Sequence, residues 1–284
     1  MCVLSISNSF KKSVMNYSVL MPVYYKEKPS FLERSIVSIM EQTIKPDDFV
    51  IVCDGPLTPE LDEILLKSSR KYNCINVVRK EKNEGIGSAL RDGLLLTKNE
   101  IVMRMDSDDV CLKQRAEIQL PLMDEYELVG SSISEFENSE NNIIGYRVVP
   151  KTQKEIEKFA KRRNPFNHPS VMFKKSTILK AGNYQTLLYV EDYFLWVRVL
   201  LQKSKVANIN EPLVNMRSGL SMRSRRSGKV YRQSIKKLRK FMLDNKMISH
   251  LRYFGLLIEQ TLFLLIPAKI KEHLYGAFLR KKKL

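Results

Sequence analysis

A chain of 284 residues fits one large domain, or a domain plus an appendage, and 44% hydrophobic residues supply ample core. The net charge of +17 suggests a polyanion-binding molecule until it is located: residues 217–284 hold 18 Lys+Arg against 3 Asp+Glu, leaving residues 1–216 at only +2. A nearly neutral body with a basic tail excludes a chain that is basic throughout and points to one local partner, an anionic membrane surface or a polyanion.

The start of the chain is weakly apolar. Lys11 and Lys12 come after it and no long apolar run follows, so no signal peptide is expected. Cys2, Cys53, Cys74 and Cys111 are scattered without a C-x-x-C pair, which reads as a reduced intracellular chain rather than a disulfide or zinc framework.

Tyr17–Val23 (YSVLMPV) reads as the first buried strand. Phe31–Gln42 places Leu32, Ile36, Ile39 and Met40 at helical spacing. Phe49–Cys53 is a second strand ending at Asp54-Gly55, and Pro59–Arg70 is a helix with Pro in its first turn. Ile75–Val78 is a third strand, Gly87–Leu96 a helix and Ile101–Met105 a fourth strand. Strands alternating with helices imply β-α-β units, a mostly parallel sheet and helices on both faces. Ligands bind such sheets beyond the carboxyl ends of the strands, so Tyr24, Asp54 and Asp106 should line one crevice. Tyr126–Ser134 is a further strand candidate. Thr152–Arg162 is a polar helix with a capping box from Thr152 and Glu155. Pro165–Lys174 is a loop entering a short strand, Glu191–Leu201 an apolar helix opening on two acids, and Val206–Ile209 and Leu213–Met216 two short strands.

The stretch Ile101–Asp109, IVMRMDSDD, carries the most chemistry. A buried strand that ends on Asp106, Asp108 and Asp109 sets like charges side by side, each resisting ionisation unless a cation or strong donors hold it. Two carboxylates with substrate phosphates suit Mg²⁺ or Mn²⁺. The competing reading is a polar turn with an Asp cap on the next helix. Asn83–Leu90, NEGIGSAL, sets glycines before a helix N-terminus, whose free N–H groups and dipole suit a diphosphate.

In order and spacing, PVYY, CDG, NEGIGSAL, RMDSDD and EDYFLW resemble a family 2 glycosyltransferase over about Tyr17–Arg217. RNPFNHPSVMFKK and VEDYFLWVRVL have close counterparts in bacterial transferases that build O-antigen or exopolysaccharide repeat units. The resemblance implies an α/β GT-A fold, a nucleotide-diphosphate sugar donor, a divalent metal and inversion at the anomeric carbon. It implies that Pro22, Val23 and Tyr24 edge the base pocket and that Asp54 accepts from the uracil ring. Asn83, Gly85, Arg104 and Ser107 complete the implied nucleotide-sugar site, with Asp106 near the ribose, Asp108 on the metal with Asp106 beside it, and Asp109 in support. Asp192 is the implied general base, although acids are also common at a helix start. Near the acceptor or the diphosphate the resemblance puts Glu191, His168 and Arg217. Trp196, four residues after Asp192 on the same helix face, could stack on an acceptor sugar or be core. Ser221 and Arg223 would join Arg217 in a loop closing over donor phosphates, and Arg225 and Arg226 read as solvated.

The expected acceptor is a sugar on a polyprenyl diphosphate. The expected place is the cytoplasmic side of the cell membrane, peripheral to it, with no nucleic acid as partner. Tyr253–Ala268 is the most apolar stretch, yet it is shorter than the ~20 residues of a spanning helix and contains Glu259, Gln260 and Pro267. It reads as an interfacial helix flanked by Lys236–Lys240, Lys269, Lys271 and Arg280–Lys283, where each cation adds about 1 kcal/mol on anionic lipid. A helix packed on the catalytic domain is the alternative. The expected division is 1–16 as an extension, 17–109 and 110–217 as nucleotide-binding and acceptor-binding halves, and 218–284 as a basic, amphipathic tail that associates with the membrane. Two other classes remain. A sugar-1-phosphate nucleotidyltransferase should carry a Gly-rich basic loop after the first strand, where this chain has Pro22–Lys26. A non-enzymatic basic adaptor leaves the four acids Asp54, Asp106, Asp108 and Asp192 unexplained.

Overall fold

The computed structural model describes residues 15–218 and 228–265. Most of the N-terminal extension, Ser221, Arg223, Arg225 and Arg226, and the cations from Lys269 onward lie outside the described residues.

The first half alternates as expected: β1 (Tyr17–Val23), α1 (Pro29–Met40), β2 (Asp48–Cys53), α2 (Pro59–Lys71), β3 (Ile75–Arg79), α3 (Ile86–Leu96) and β4 (Ile101–Arg104). The second half holds β5 (Val110–Cys111), α4 (Arg115–Gln119), β6 (Leu128–Phe136), β7 (Ile143–Arg147), α5 (Gln153–Ala160), β8 (Met172–Lys174), α6 (Lys175–Lys180), α7 (Glu191–Leu201) and β9 (Val206–Arg217). Two helices follow, α8 (Lys229–Asp244) and α9 (His250–Leu265).

One sheet runs β3-β2-β1-β4-β8-β6-β9-β5, with β7 paired to β6. It is parallel from β3 to β4 and mixed beyond, because β8 enters antiparallel to β4. All seven residues of β1 are buried. Tyr17, Val19, Met21 and Val23 join the core under α1 and α2, while Leu20 joins the one under α3 and α7. Both faces are thus covered, and a strand covered on both faces reads as a continuous apolar run. Gly93 lets α3 lie close on the sheet, since a Cβ there would meet Val52 at 2.4 Å and Leu20 at 2.7 Å. Pro22 is tolerated in a central strand because of where the ladder stops. Met105 N–H donates to Leu20 O (3.0 Å), past the end of β4, and Asp54 N–H to Val23 O (2.8 Å). Pro22, two residues beyond Leu20, therefore turns its bare nitrogen to the side where no rung is needed.

The two expected short strands near the end of the sheet are one strand, β9. Asn210-Glu211-Pro212 has turn composition, but the β6–β9 pairing shifts register between Ser131 and Ser134 and so absorbs Pro212. β5, β7, α4 and α6 are too short to carry a readable period. α8 is a finding: its Lys-rich composition hides Ser234, Ile235, Leu238 and Met242 on one buried stripe. That stripe packs with Tyr193 and Val197 of α7 and with Tyr253 and Leu256 of α9 in a third core. Arg239 ties the pair by donating to Leu256 O and Gln260 Oε1, both at 2.8 Å. The face of α9 that carries Tyr253 and Leu256, within the stretch read as an interfacial helix, is therefore docked on the domain.

Arg115 lies wholly inside, where burial holds its guanidinium below its ordinary pKa. It donates to Gln119 Oε1 (2.8 Å), Pro169 O (2.8 Å), Arg104 O (3.0 Å) and Val171 O (3.0 Å). Arg115→Met fills the space and strands those acceptors at about 1–3 kcal/mol each where no water replaces the donor. We expect a loss of roughly 3 kcal/mol or more, read as a lower urea midpoint with an unchanged slope.

Candidate active site

The DSDD segment is fixed from behind. Arg115 holds the carbonyl of Arg104, Ser35 Oγ of α1 donates to Asp106 O (2.8 Å), and Arg217 Nε at the end of β9 donates to Asp108 O (3.1 Å). The Arg217 N–H donates to Asp109 Oδ1 (2.8 Å). With alternate carbonyls pinned, the carboxylates of Asp106, Asp108 and Asp109 converge, each bringing an oxygen within 4.8 Å of the others.

Convergence raises their proton affinity. Burial, then the carboxylates of Asp106 and Glu27, push Asp108 up to about 7. Burial, then Asp108 and Asp106, push Asp109 well above the carboxylate range. Asp109 Oδ2 is buried with no hydrogen-bond partner among the described residues. Asp106 is the best neutralised, gripped through both oxygens by the buried Arg104. An oxygen-only donor set with an orphaned buried carboxylate oxygen fits a hard divalent cation, held by Asp108 with Asp106 and Asp109 beside it. Glu27 is a fourth acid that composition does not reveal. Its Oε2 accepts from Ser107 Oγ (2.6 Å) and fastens the loop after β1 to the cluster.

Asp54 sits at the end of β2, buried. Its oxygens accept from the N–H groups of Glu84 (2.9 Å) and Gly85 (2.8 Å), and its carbonyl accepts from Asn83 Nδ2 (3.1 Å). The loop before α3 is thus built around Asp54, with Gly85 at φ +92° as the residue entering the helix. Glu84 and Gly85 N–H are consequently occupied, so the expectation that this helix start offers its free amides to a diphosphate does not extend to Gly85. Tyr24 is exposed and meets Tyr25 edge-on at 5.9 Å, whereas Pro22 and Val23 are buried.

Asp192, in the first turn of α7, accepts from Asn164 Nδ2 (2.6 Å) and from Tyr193 N–H (2.7 Å). Asn164 opens the NPFNHPS stretch, in which the sequence draws attention to the histidine instead. Tyr193 Oη donates to Ala160 O (2.6 Å), which locks this turn against the end of α5. Tyr184 is buried with its hydroxyl 3.1 Å from His168 Nε2, and burial pushes its phenol well above the usual tyrosine range. No sequence pattern marks it.

Two expectations need correction, and a third is narrowed. Trp196 is 0% exposed and packs edge-on against Phe166 (5.6 Å) and His168 (5.9 Å), so it is core and offers no face to an acceptor. Arg217 is not on a free loop: its guanidinium is sandwiched between Phe31 (3.5 Å) and Phe136 (4.6 Å), and it positions Asp108 and Asp109. His168 Nε2 contacts Tyr184 Oη at 3.1 Å, and burial with nearby Arg104 drops its pKa well below the usual histidine range. It therefore brings no standing positive charge to a diphosphate. Glu191 turns toward α3, where a Cβ on Gly87 would lie 2.9 Å from its Cγ. It links the starts of α3 and α7.

Residues 18–182 match the model of glycosyl transferase family 2. The chain belongs to that family of glycosyltransferases. The amylovoran biosynthesis glycosyltransferase AmsE of Erwinia amylovora is 35% identical over 260 residues, covering 91% of this chain and 97% of that one. An Escherichia coli UDP-Gal:alpha-D-GlcNAc-diphosphoundecaprenol beta-1,3-galactosyltransferase is 34% identical over 268 residues, covering 93% and 97%. The S. aureus TarS 1-349 structure in complex with UDP-GlcNAc shares the fold at TM-score 0.64 and 17% identity, covering 86% of this chain and 71% of that one. Against the longer S. aureus TarS structure, this chain spans 44% of the length.

Burial, then nearby Asp192, push Glu191 up to about 7. A carboxyl raised in the folded state stabilises fully below its unfolded value, and that contribution fades as pH climbs through the folded one. Glu191→Gln removes the burden of a buried charge. The variant should match the parent near pH 4.5 and exceed it by about 2–3 kcal/mol near pH 9, measured by urea unfolding across that range.

Proposed function

We propose that the chain transfers a hexose from a UDP-sugar to a sugar carried on a polyprenyl diphosphate, with inversion, as a step in building an O-antigen or exopolysaccharide repeat unit. One observation carries this reading: the carboxylates of Asp106, Asp108 and Asp109 converge just past the end of β4, while Asp192 is held separately by Asn164 at the start of α7. Inversion needs that separation. The acceptor hydroxyl must lose its proton on one side of the anomeric carbon while the diphosphate departs on the other.

Asp192, aimed by Asn164, takes the proton as the hydroxyl attacks C1. Asp108 and Asp106 hold Mn²⁺ or Mg²⁺, which when bound neutralises charge on the leaving diphosphate. Tyr24 and the Asp54-centred loop contact the nucleoside. The E. coli relative's name specifies UDP-Gal and a diphosphoundecaprenol acceptor, AmsE is named for amylovoran, and the TarS complex contains UDP-GlcNAc. Those names support the donor and acceptor classes. Residues 17–109 then serve the nucleotide, 110–217 the acceptor, and 218–284 the membrane face on which a lipid-linked acceptor lies. Among the described residues no helix is long and apolar enough to cross a membrane, and Cys53, Cys74 and Cys111 are free thiols. Both fit a peripheral enzyme on the cytoplasmic side.

The test combines the protein with Mn²⁺, a panel of UDP-sugars and synthetic lipid-diphosphate sugars, and looks for a lipid-linked disaccharide. Asp192→Asn should bind donor as the parent does and lose at least ~10³-fold in turnover, and chelation should abolish turnover. Full activity in Asp192→Asn sinks the base assignment.

Asn164→Ala should lower kcat about 10–100-fold with little change in donor KM, because it frees the carboxylate to rotate. An unaltered kcat removes Asn164 from the mechanism.

A further inference from the structure

The inner and outer faces of α9 differ. Tyr253 and Leu256 turn inward onto α7 and α8, with Gln260 held by Arg239. The opposite face carries Leu251 (85% exposed), Phe254 (58%), Ile258 (59%) and Leu262 (57%). At about 100° per residue these four lie within an arc of about 80°, centred opposite the docked face. They form a continuous apolar ridge on a helix whose own packing needs are already met. Four large apolar side chains aligned this way exceed the scattered exposure of an ordinary surface.

The neighbouring surface is cationic. A groove of about 670 Å³ between α8 and α9 is lined by Lys236, Lys237 and Lys240, with Phe241 and Tyr253 as its apolar wall. Asp244, its one lining acid, is already paired with Lys240. Ridge and groove are contiguous, because the Phe254 ring meets Tyr253 edge-on at 5.6 Å. Thus an apolar crest stands beside a row of exposed ammonium groups, and the sequence beyond residue 265 adds Lys269, Lys271 and Arg280–Lys283.

We propose that the α8–α9 hairpin is the membrane-docking surface of this enzyme, inserting Leu251, Phe254, Ile258 and Leu262 among the acyl chains while Lys236, Lys237 and Lys240 meet anionic lipid headgroups. Charge complementarity selects this occupant. A second copy of the chain would bring its own lysines against these, and an acidic protein partner would not need the ridge. Insertion of an apolar face beside cations is how an interfacial helix binds, and it explains why the charge is confined to this part of the chain. The surface deepens the proposed function, since its purpose rests on an acceptor that resides in the bilayer.

The experiment uses the full chain and two vesicle compositions, pure phosphatidylcholine and equal parts phosphatidylcholine and phosphatidylglycerol. The parent should float with the anionic vesicles, and its partitioning should fall as salt is raised. Phe254→Asp with Ile258→Asp, both on exposed positions, should reduce partitioning at least tenfold at any salt. Lys236→Glu with Lys237→Glu should reduce it at least tenfold on anionic vesicles and leave the weak binding to pure phosphatidylcholine unchanged. Circular dichroism checks that each variant is folded. Both variants should retain transfer to a short-chain, water-soluble acceptor and lose it on a vesicle-borne one. Vesicle binding that equals the parent's in the ridge variant overturns the proposal, as does a ridge variant that merely converts a dimer to a monomer. Absence of transfer to either acceptor by the parent speaks against the proposed reaction alone, because flotation is read without it.

Discussion

Three acids at the end of a strand repel one another, and the segment exists only because donors behind it take up its carbonyls. Arg115, Ser35 and Arg217 hold Arg104 O, Asp106 O and Asp108 O, and they come from three different elements: α4, α1 and the end of β9. Without those contacts the backbone could rotate and let the carboxylates splay into water, the cheaper arrangement for like charges. The raised proton affinity of Asp108 and Asp109 is the electrostatic signature of that constraint. A divalent cation relieves it, so what costs stability in the free protein favours the ion. The same arginines bind the halves of the molecule together. Arg115 reaches Pro169 and Val171 beside His168, and Arg217 stacks between Phe31 of α1 and Phe136 of β6.

The acids differ by how they are held. Asp106 is neutralised by a guanidinium, Asp108 and Asp109 crowd each other, and Asp54 is spent on backbone amides of the loop before α3. Asp192 is anchored by one amide side chain and its own helix, and among the described residues no cation forms a salt bridge with it. Both of its donors are neutral, a setting that supports the proposed role of base. Glu191, its neighbour in sequence, is buried against Gly87, so the two adjacent acids sit in different surroundings.

What could be read from the sequence follows from what its signals measure. The β1–β4 half is legible because strands buried on both faces are continuous apolar runs and helices between them show a 3.6-residue stripe. The Asp106, Asp108 and Asp192 positions are legible because carboxylates at strand and helix ends are conspicuous. The failures share a cause. Helical spacing puts Trp196 and the resemblance puts Arg217 at the site, and only tertiary packing decides that the indole faces Phe166 and that the guanidinium lies against two rings. Arg115, Asn164, Glu27 and Tyr184 do their work through contacts to residues remote in the chain. Periodicity carries no trace of such pairings. α8 was concealed for a different reason: its lysines dominate its composition, although four buried positions at helical spacing were present in its sequence.

α7 joins these levels. Its first turn carries Asp192. One side, through Leu195, Trp196 and Val199, fills the core beneath α3, and another, through Tyr193 and Val197, supports α8 and α9. A helix buried on two sides cannot shift without opening one core or the other, and close packing makes either move costly. The position of Asp192 is therefore set by the same contacts that seat the basic hairpin. An appendage that merely supplied charge would need no such core. The burial of Ile235, Leu238, Met242, Tyr253 and Leu256 argues that α8 and α9 are built to hold a fixed attitude to the catalytic crevice. A surface that presents an enzyme to a substrate needs that fixity more than it needs length or net charge.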